Sequence, residues 1–303
     1  MFWIGNTPLI KLRNLPGSNC ADIYVKFEGA NPTGSMKDRM ALSMIEGAER
    51  RGELNPGGRI VEYTGGSTGS SLAMVCAMKG YKAHFVSSNG FAEEKLQTMR
   101  AFGATVEIIH AENGVLTAKI IDEMIARTKE LIGQPNTFWP NQIHNVDNKL
   151  GYHSMANEII QELGTGIDEF VAAVGTGGCI SGNAEILKDQ IPGIKIVAIE
   201  PFGVRNVSGG NTSGKHRLEG IGLSFKPSIL RQDLLDEIIA VKDEDAYRTA
   251  NELARKEGIF GGITSGANVW VALQRARQIG PGKKVVTVIV DSGLKYLNGN
   301  LYK

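Results

Sequence analysis

Three segments of the chain combine residue types that suit anion binding or covalent capture of an aldehyde. The first, Gly175-Thr-Gly-Gly-Cys-Ile-Ser-Gly182, directly follows the apolar run Glu169-Phe-Val-Ala-Ala-Val174 and opens a helical pattern. Bare amides at a helix N-terminus cradle a phosphate, and glycine lets the anion come close. No Gly-Lys-[Ser/Thr] follows, so this is not a P-loop, and the spacing is not G-x-G-x-x-G; the alternative is a tight strand-to-helix turn. The second, Gly65-Gly-Ser-Thr-Gly69, follows Arg59-Ile-Val-Glu-Tyr63 and again opens a helix. Here the hydroxyls of Thr64, Ser67 and Thr68, with helix-end amides, suit a carboxylate, unless Ser67 or Thr68 simply caps the helix. The third is Asn31-Pro-Thr-Gly-Ser-Met-Lys37-Asp-Arg39, in which Ser35 reads as an N-cap and Lys37 falls in the first helical turn. The helix macrodipole and burial in a cleft both lower the pKa of a lysine so placed, making it a candidate Schiff-base amine rather than a plain surface lysine.

Together the segments describe one ligand. It has an aldehyde for Lys37, a phosphate for one glycine loop and an amino acid whose carboxylate meets the other; that is pyridoxal phosphate carrying an amino acid.

The elements that must position these segments alternate. Short β-branched runs (22–27, 59–63, 83–87, 105–109, 169–174, 195–200, 237–241 and 284–290) are interleaved with amphipathic stretches (37–51, 68–79, 92–102, 114–131, 148–163, 179–190, 243–258 and 265–279). Such a rhythm implies mostly parallel sheets with crossover helices. It occurs twice, which predicts two α/β lobes, with the polar stretch 134–148 as the crossing and a ligand cleft at the carboxyl ends of the strands. Glycine makes up 38 of 303 residues and is clustered after the predicted strands, as expected of backbone that approaches a ligand.

Composition narrows the rest. Hydrophobic residues are 42% and charged residues 21%, a globular profile. Lys+Arg, 33, nearly cancels Asp+Glu, 32, so no overall field recruits nucleic acid or an anionic membrane. Cys20, Cys76 and Cys179 are isolated, and His84, His110, His144, His153 and His216 lack metal spacing, so neither a disulfide framework nor a metal site is expected. Met1-Phe-Trp-Ile-Gly-Asn6 has no leader pattern and no apolar run reaches a membrane span, so the expected location is the cytoplasm.

The motifs resemble the cysteine synthase (O-acetylserine sulfhydrylase) group of fold-type II pyridoxal-phosphate enzymes, which also includes cystathionine β-synthase. The resemblance is carried by Ile4-Gly-Asn-Thr-Pro-Leu9, 31–39, 64–69, Asn141-Gln142, 175–179, Glu200-Pro201, 216–222, Thr264-Ser-Gly266 and Lys295-Tyr-Leu297. It implies a tryptophan synthase β-like fold with a smaller mobile lobe at 36–145 and a larger lobe made of 1–35 plus 146–303. It implies Lys37 as the Schiff-base lysine and α-proton base; Gly175, Thr176, Gly177, Gly178 and Cys179 as phosphate contacts; and Ser265 at the pyridine nitrogen. Thr64, Gly65, Gly66, Ser67, Thr68 and Gln142 would hold the substrate carboxylate, with Ser67 also near the cofactor and Gly220 near the amino group. The implied reaction is β-replacement of an O-activated L-serine, acetyl or phosphoryl, by sulfide through an aminoacrylate to give L-cysteine. The implied partners are a second copy of the chain and the tail of a serine acetyltransferase.

The chain departs from that pattern at four places. Ser67 replaces the usual asparagine, Gly65 removes a hydroxyl from the carboxylate loop, Cys179 replaces a threonine at the phosphate, and Asp291-Ser292 replaces Pro-Ser. His216-Arg217 is a candidate phosphate reader against the alternative of a solvated loop. The competing readings are cystathionine formation, other β-replacements or β-elimination on the same cofactor, and a weakly active cofactor-binding partner protein.

Overall fold

The structure is a computed structural model that describes residues 3–211 and 214–303. Met1 and Phe2, where the leader reading begins, lie outside the described residues. The chain divides into two compact units, one made of Met1–Met36 with Tyr152–Lys303 and one of Lys37–Gly151.

In chain order the first segment supplies β1 (Leu9–Lys11) and β2 (Asp22–Phe27). The 37–151 unit then contains α1 (Lys37–Arg51), β3 (Arg59–Tyr63), α2 (Ser67–Lys79), β4 (Lys82–Ser88), α3 (Glu93–Ala101), β5 (Thr105–Ile109), α4 (Ala118–Ile132), β6 (Thr137–Phe138) and α5 (Asp147–Leu150). The remainder supplies α6 (His153–Leu163), β7 (Glu169–Ala173), α7 (Gly178–Gln190), β8 (Lys195–Pro201), β9 (Glu237–Val241), α8 (Asp243–Glu252), α9 (Ile263–Ile279) and β10 (Lys284–Ile289).

The larger unit holds a six-stranded sheet ordered β1-β2-β10-β7-β8-β9, parallel throughout except for β1 against β2. Every residue of β7 is buried, as a parallel strand covered on both faces requires. Its core runs through Ile23, Val25, Val171, Val197, Ile199, Val285 and Ile289 to the buried face of α9. The smaller unit holds a four-stranded parallel sheet ordered β5-β4-β3-β6, with Val61 and Val86 packed on Met124 and Leu131 of α4. The chain is thus α/β, built on mostly parallel sheets with crossover helices. No helix among the described residues is long and apolar enough to cross a membrane.

Several elements differ from the sequence expectation. The expected helix over 148–163 is two helices, parted at Gly151 and Tyr152. A side-chain carbon at Gly151 would lie 2.7 Å from the Arg39 carbonyl oxygen, so the chain there runs against the start of α1. The expected helix over 243–258 changes to a π-turn at Leu253–Glu257 and stops at Gly258, φ +70°. Strands β1 and β6 are too short to show a period. The second unit boundary falls after Gly151, not after 145, because α5 belongs with α1. Arg51 Nη1 donates to Asp147 Oδ2 at 2.8 Å, and Asn148 Nδ2 donates to the Gln142 carbonyl at 2.6 Å.

Candidate active site

In the smaller unit, β3 and β6 are adjacent and parallel, so the loops leaving their carboxyl ends lie side by side. The loop after β3 is Thr64–Gly66, and Gly66 is the N-cap of α2. Neither Ser67 nor Thr68 caps the helix. Instead the Thr64 hydroxyl oxygen accepts the Gly69 N–H at 3.1 Å and the Gly66 N–H at 3.4 Å, which leaves its own proton to donate. The loop after β6 brings Gln142 to this helix start, where its Oε1 accepts the Thr68 hydroxyl at 2.7 Å. That fixes the side-chain amide with its two N–H donors outward. Lys37 is the first residue of α1, and α1 is joined to α2 at the same end by the Ser71 hydroxyl donating to Asp38 Oδ1 at 2.5 Å.

In the larger unit, β7 and β10 are adjacent; the Gly175 loop leaves the carboxyl end of β7, and Ser265, at the start of α9, meets Val290 just past the carboxyl end of β10. Gly177, φ +86°, is the N-cap of α7, so the amides of Gly178 and Cys179 begin that helix. A side-chain carbon at Gly175 would lie 2.2 Å from the Gly220 carbonyl oxygen, and one at Gly177 2.9 Å from Leu230 Cβ. The backbone there admits nothing but glycine. Thr264 Oγ1 donates to the Glu219 carbonyl at 2.8 Å, tying the Gly220 loop to the start of α9. Ser265, fully buried, accepts the Val290 N–H at Oγ (3.0 Å). Because that oxygen is the acceptor, its proton is left for a further partner. The Val290 carbonyl in turn accepts the Met36 N–H at 2.9 Å, so the residue preceding Lys37 is hydrogen-bonded to the peptide that holds Ser265. Ser35 forms an isolated antiparallel bridge with Asp291.

These residues fit pyridoxal phosphate. A side-chain-free helix N-terminus suits its phosphate, a buried hydroxyl with a proton to give suits its ring nitrogen, and a lysine at a helix start suits its aldehyde.

The departures acquire physical detail. A side-chain carbon at Gly65 would lie 2.0 Å from Phe91 Cε1, so the Phe91 ring takes the space a side chain would need. Lys95, buried on α3, lies against Gly66, where a side-chain carbon would be 3.2 Å from its Cδ. Cys179 Sγ is 3.7 Å from Asn183 Nδ2. Asp291 accepts the Tyr296 hydroxyl at 2.7 Å, and burial beside that carboxylate pushes the Tyr296 pKa well up. Arg217 is not placed as a phosphate reader. It pairs with Asp243 and Glu244 at 3.3 Å each and stacks 4.8 Å from the Tyr247 ring, which spends its donors on the surface.

Sequence reasoning missed Glu62. It is fully buried in β3 and receives the Trp139 indole N–H at 2.9 Å and the Gln142 amide N–H at 3.2 Å. Burial pushes its pKa up to about 7 against the pull of those donors. Phe91 and Lys95 were also missed, since both reach the Gly65 loop from another strand-helix unit.

The family described as pyridoxal-phosphate dependent enzyme matches residues 1–291. The chain is 43% identical over 302 residues to a cysteine synthase of Staphylococcus aureus (strain Mu50), covering 99% of this chain and 95% of that protein. Among solved structures it is similar to O-acetyl serine sulfhydrylase isoform 3 of Entamoeba histolytica, with TM-score 0.92 and 35% identity over 99% of this chain and 89% of that one. It is also similar to an O-acetylserine dependent cystathionine beta-synthase of Helicobacter pylori, with TM-score 0.90 and 36% identity over 99% and 97%.

Proposed function

The chain belongs to the pyridoxal-phosphate dependent enzyme family, and from that premise we propose that it replaces the β-substituent of an O-activated L-serine, acetyl or phosphoryl, with sulfide to release L-cysteine. The observation that carries this reading is Ser265 Oγ, which accepts the Val290 N–H and would thus face a ring nitrogen as a neutral donor. A hydroxyl, unlike a carboxylate, does not hold that nitrogen protonated. Such a partner suits prompt loss of a β-leaving group.

Bound pyridoxal phosphate supplies the electron sink that acidifies the substrate α-carbon and labilises its β-substituent. In this reading Gly175, Thr176, Gly177, Gly178 and Cys179 hold the phosphate with the first amides of α7, and Gly220 lies by the substrate amino group. The substrate carboxylate accepts from the start of α2, from the Thr64 hydroxyl and from Gln142 Nε2. Thr68 directs Gln142 and does not itself donate to the carboxylate, since its proton is on Gln142 Oε1. Ser67, beside Gly65 and Gly66, serves both cofactor and substrate. Lys37 would hold the cofactor aldehyde, and its Nζ would be the base for the α-proton.

The same reading takes the working enzyme to be a cytoplasmic homodimer whose site admits the carboxyl-terminal tail of a serine acetyltransferase. Light scattering and tail-peptide inhibition test those two features. A second thiol, homocysteine, is favoured as an alternative nucleophile by the similarity to the acetylserine-dependent cystathionine enzyme.

The deciding experiment is visible absorption of the purified protein with O-acetyl-L-serine or O-phospho-L-serine in the absence of sulfide, followed by sulfide or homocysteine and product analysis. A band that shifts with one activated serine and returns on sulfide, with cysteine released, is the expected result and names the leaving group. A band that no activated serine perturbs overturns the reading.

A further inference from the structure

We propose that Glu62 is a positioning residue for substrate binding, whose carboxylate fixes the backbone at Asn141 and Gln142 and thereby sets the Gln142 side chain. The inference rests on the reading of Gln142 as a carboxylate-binding residue.

Glu62 makes an arrangement that stability alone does not favour. Its Oε1 receives the Trp139 indole N–H at 2.9 Å and the Tyr63 N–H at 3.1 Å, and its Oε2 receives the Gln142 N–H at 3.2 Å. The neighbouring Asn141 amide also favours the charged form of this carboxylate, by less than the other donors. All of these are neutral N–H groups, and among the described residues Glu62 makes no ion pair. A buried carboxylate without a cation costs more than a neutral or apolar side chain of similar size. What it offers in return is acceptor capacity. Two carboxylate oxygens take several N–H donors at once, whereas a glutamine would turn an NH₂ toward some of them.

The recipient of that capacity is the stretch that ends in Gln142. Asn141 has φ +47°, a left-handed conformation that asparagine adopts more readily than other side chains and that the local hydrogen bonds here select. The surroundings are specific: the His144 and Asn145 amides donate to the Asn141 carbonyl at 2.9 and 3.0 Å, and Asn148 Nδ2 donates to the Gln142 carbonyl. The Gln142 peptide is therefore held at its N–H by Glu62 and at its carbonyl by Asn148. Only the side chain is then left to orient, and the Thr68 hydroxyl does that. Without Glu62 the N–H side of the peptide is released, Asn141 relaxes, and the Gln142 amide no longer meets α2.

The test is a double-mutant cycle on the holoenzyme with Glu62→Gln, Gln142→Ala and both together. It measures kcat and KM for O-acetyl-L-serine with sulfide, and the Kd of unreactive L-methionine by titration of the visible band. Glu62→Gln is expected to raise KM and the L-methionine Kd about tenfold, with the smaller share of the loss in kcat and cofactor affinity within twofold of wild type. The double variant is expected to be no worse than about twofold beyond the weaker single one, because both changes act through one side chain. Hydrogen exchange of the 139–142 segment should accelerate in Glu62→Gln and stay slow in Gln142→Ala. If Glu62→Gln does not fold, Glu62→Asp, which keeps the charge but shortens the reach, must show the same KM loss in smaller degree. A folded variant at position 62 with unchanged KM, or losses that multiply in the double variant, overturns the proposal while leaving Gln142 in its role. Gln142→Ala with unchanged L-methionine affinity removes the role of Gln142, and the proposal falls with it.

Discussion

The two glycine loops look alike in sequence and are held by different means. At Gly175 and Gly177 the space beside the backbone is filled by a carbonyl oxygen and by the base of Leu230, neither of which can move without moving the chain. At Gly65 and Gly66 the neighbours are the Phe91 ring and the Lys95 stem, and the loop itself is fastened by the Thr64 hydroxyl and the Thr68–Gln142 hydrogen bond. One loop is fixed by main chain and tolerates little. The other is fixed by side chains, so its shape can be altered by substitutions well away from it. If, as proposed, the first loop takes the phosphate and the second the substrate, the group that every turnover shares meets the rigid loop and the group that distinguishes related enzymes meets the adjustable one.

The sharpest way to break the comparison is Gly175→Ala, which forces a methyl onto the Gly220 carbonyl. Pyridoxal phosphate affinity should fall about a thousandfold, about 4 kcal/mol, read by titrating cofactor into apoprotein. A loss under tenfold would mean that the loop yields as the other one does.

The second loop has its own signature in stability. The Glu62 carboxyl lies at about 7 in the folded chain against 4.5 ordinarily, so the folded state binds that proton more tightly than the unfolded state. Its contribution is therefore fully present below pH 4.5 and lost as pH rises through 7, a change of about 3 kcal/mol in all. The stability difference between wild type and Glu62→Gln, from melting curves at pH 5 and pH 8, should move in that sense. Tyr63, pushed up to about 12 by burial and by the Glu62 charge, does not titrate in this window.

A smaller effect is expected at Gly65→Ala, about tenfold in KM for the activated serine. Because the obstacle is a ring, Phe91→Ala should restore most of it in the double variant, whereas no change near Gly175 would rescue the first loop. The least effect belongs to Cys179→Thr. A hydroxyl is a better donor than a thiol, and cofactor should bind about threefold more tightly, measured by the same titration.

What the sequence disclosed follows the same division. The strand-helix rhythm and the placing of Gly175 after an apolar run were legible because each is a local pattern, whereas Ser265 came only with the family resemblance. Glu62 was not legible, since Arg-Ile-Val-Glu-Tyr reads only as a strand, and nothing local says that its glutamate is buried. Its only signal is that a central parallel strand has no outward face, and that could be applied only once β3 was known to lie between β4 and β6. The Gly65 departure read as a lost hydroxyl, while its meaning lies in Phe91, on a different loop. The helix over 148–163 was read through its break because Gly151 packs on Arg39, a residue remote in sequence.

The peptide at Val290, gripped at its N–H by Ser265 and at its carbonyl by Met36, has a kinetic consequence. Its amide proton reaches solvent only when the Ser265 hydroxyl releases it, at the buried end of β10. The exchange rate of this single proton thus becomes a clock for opening around Ser265. It can be followed in intact protein without substrate, and cofactor that engages Ser265 should make it run slower.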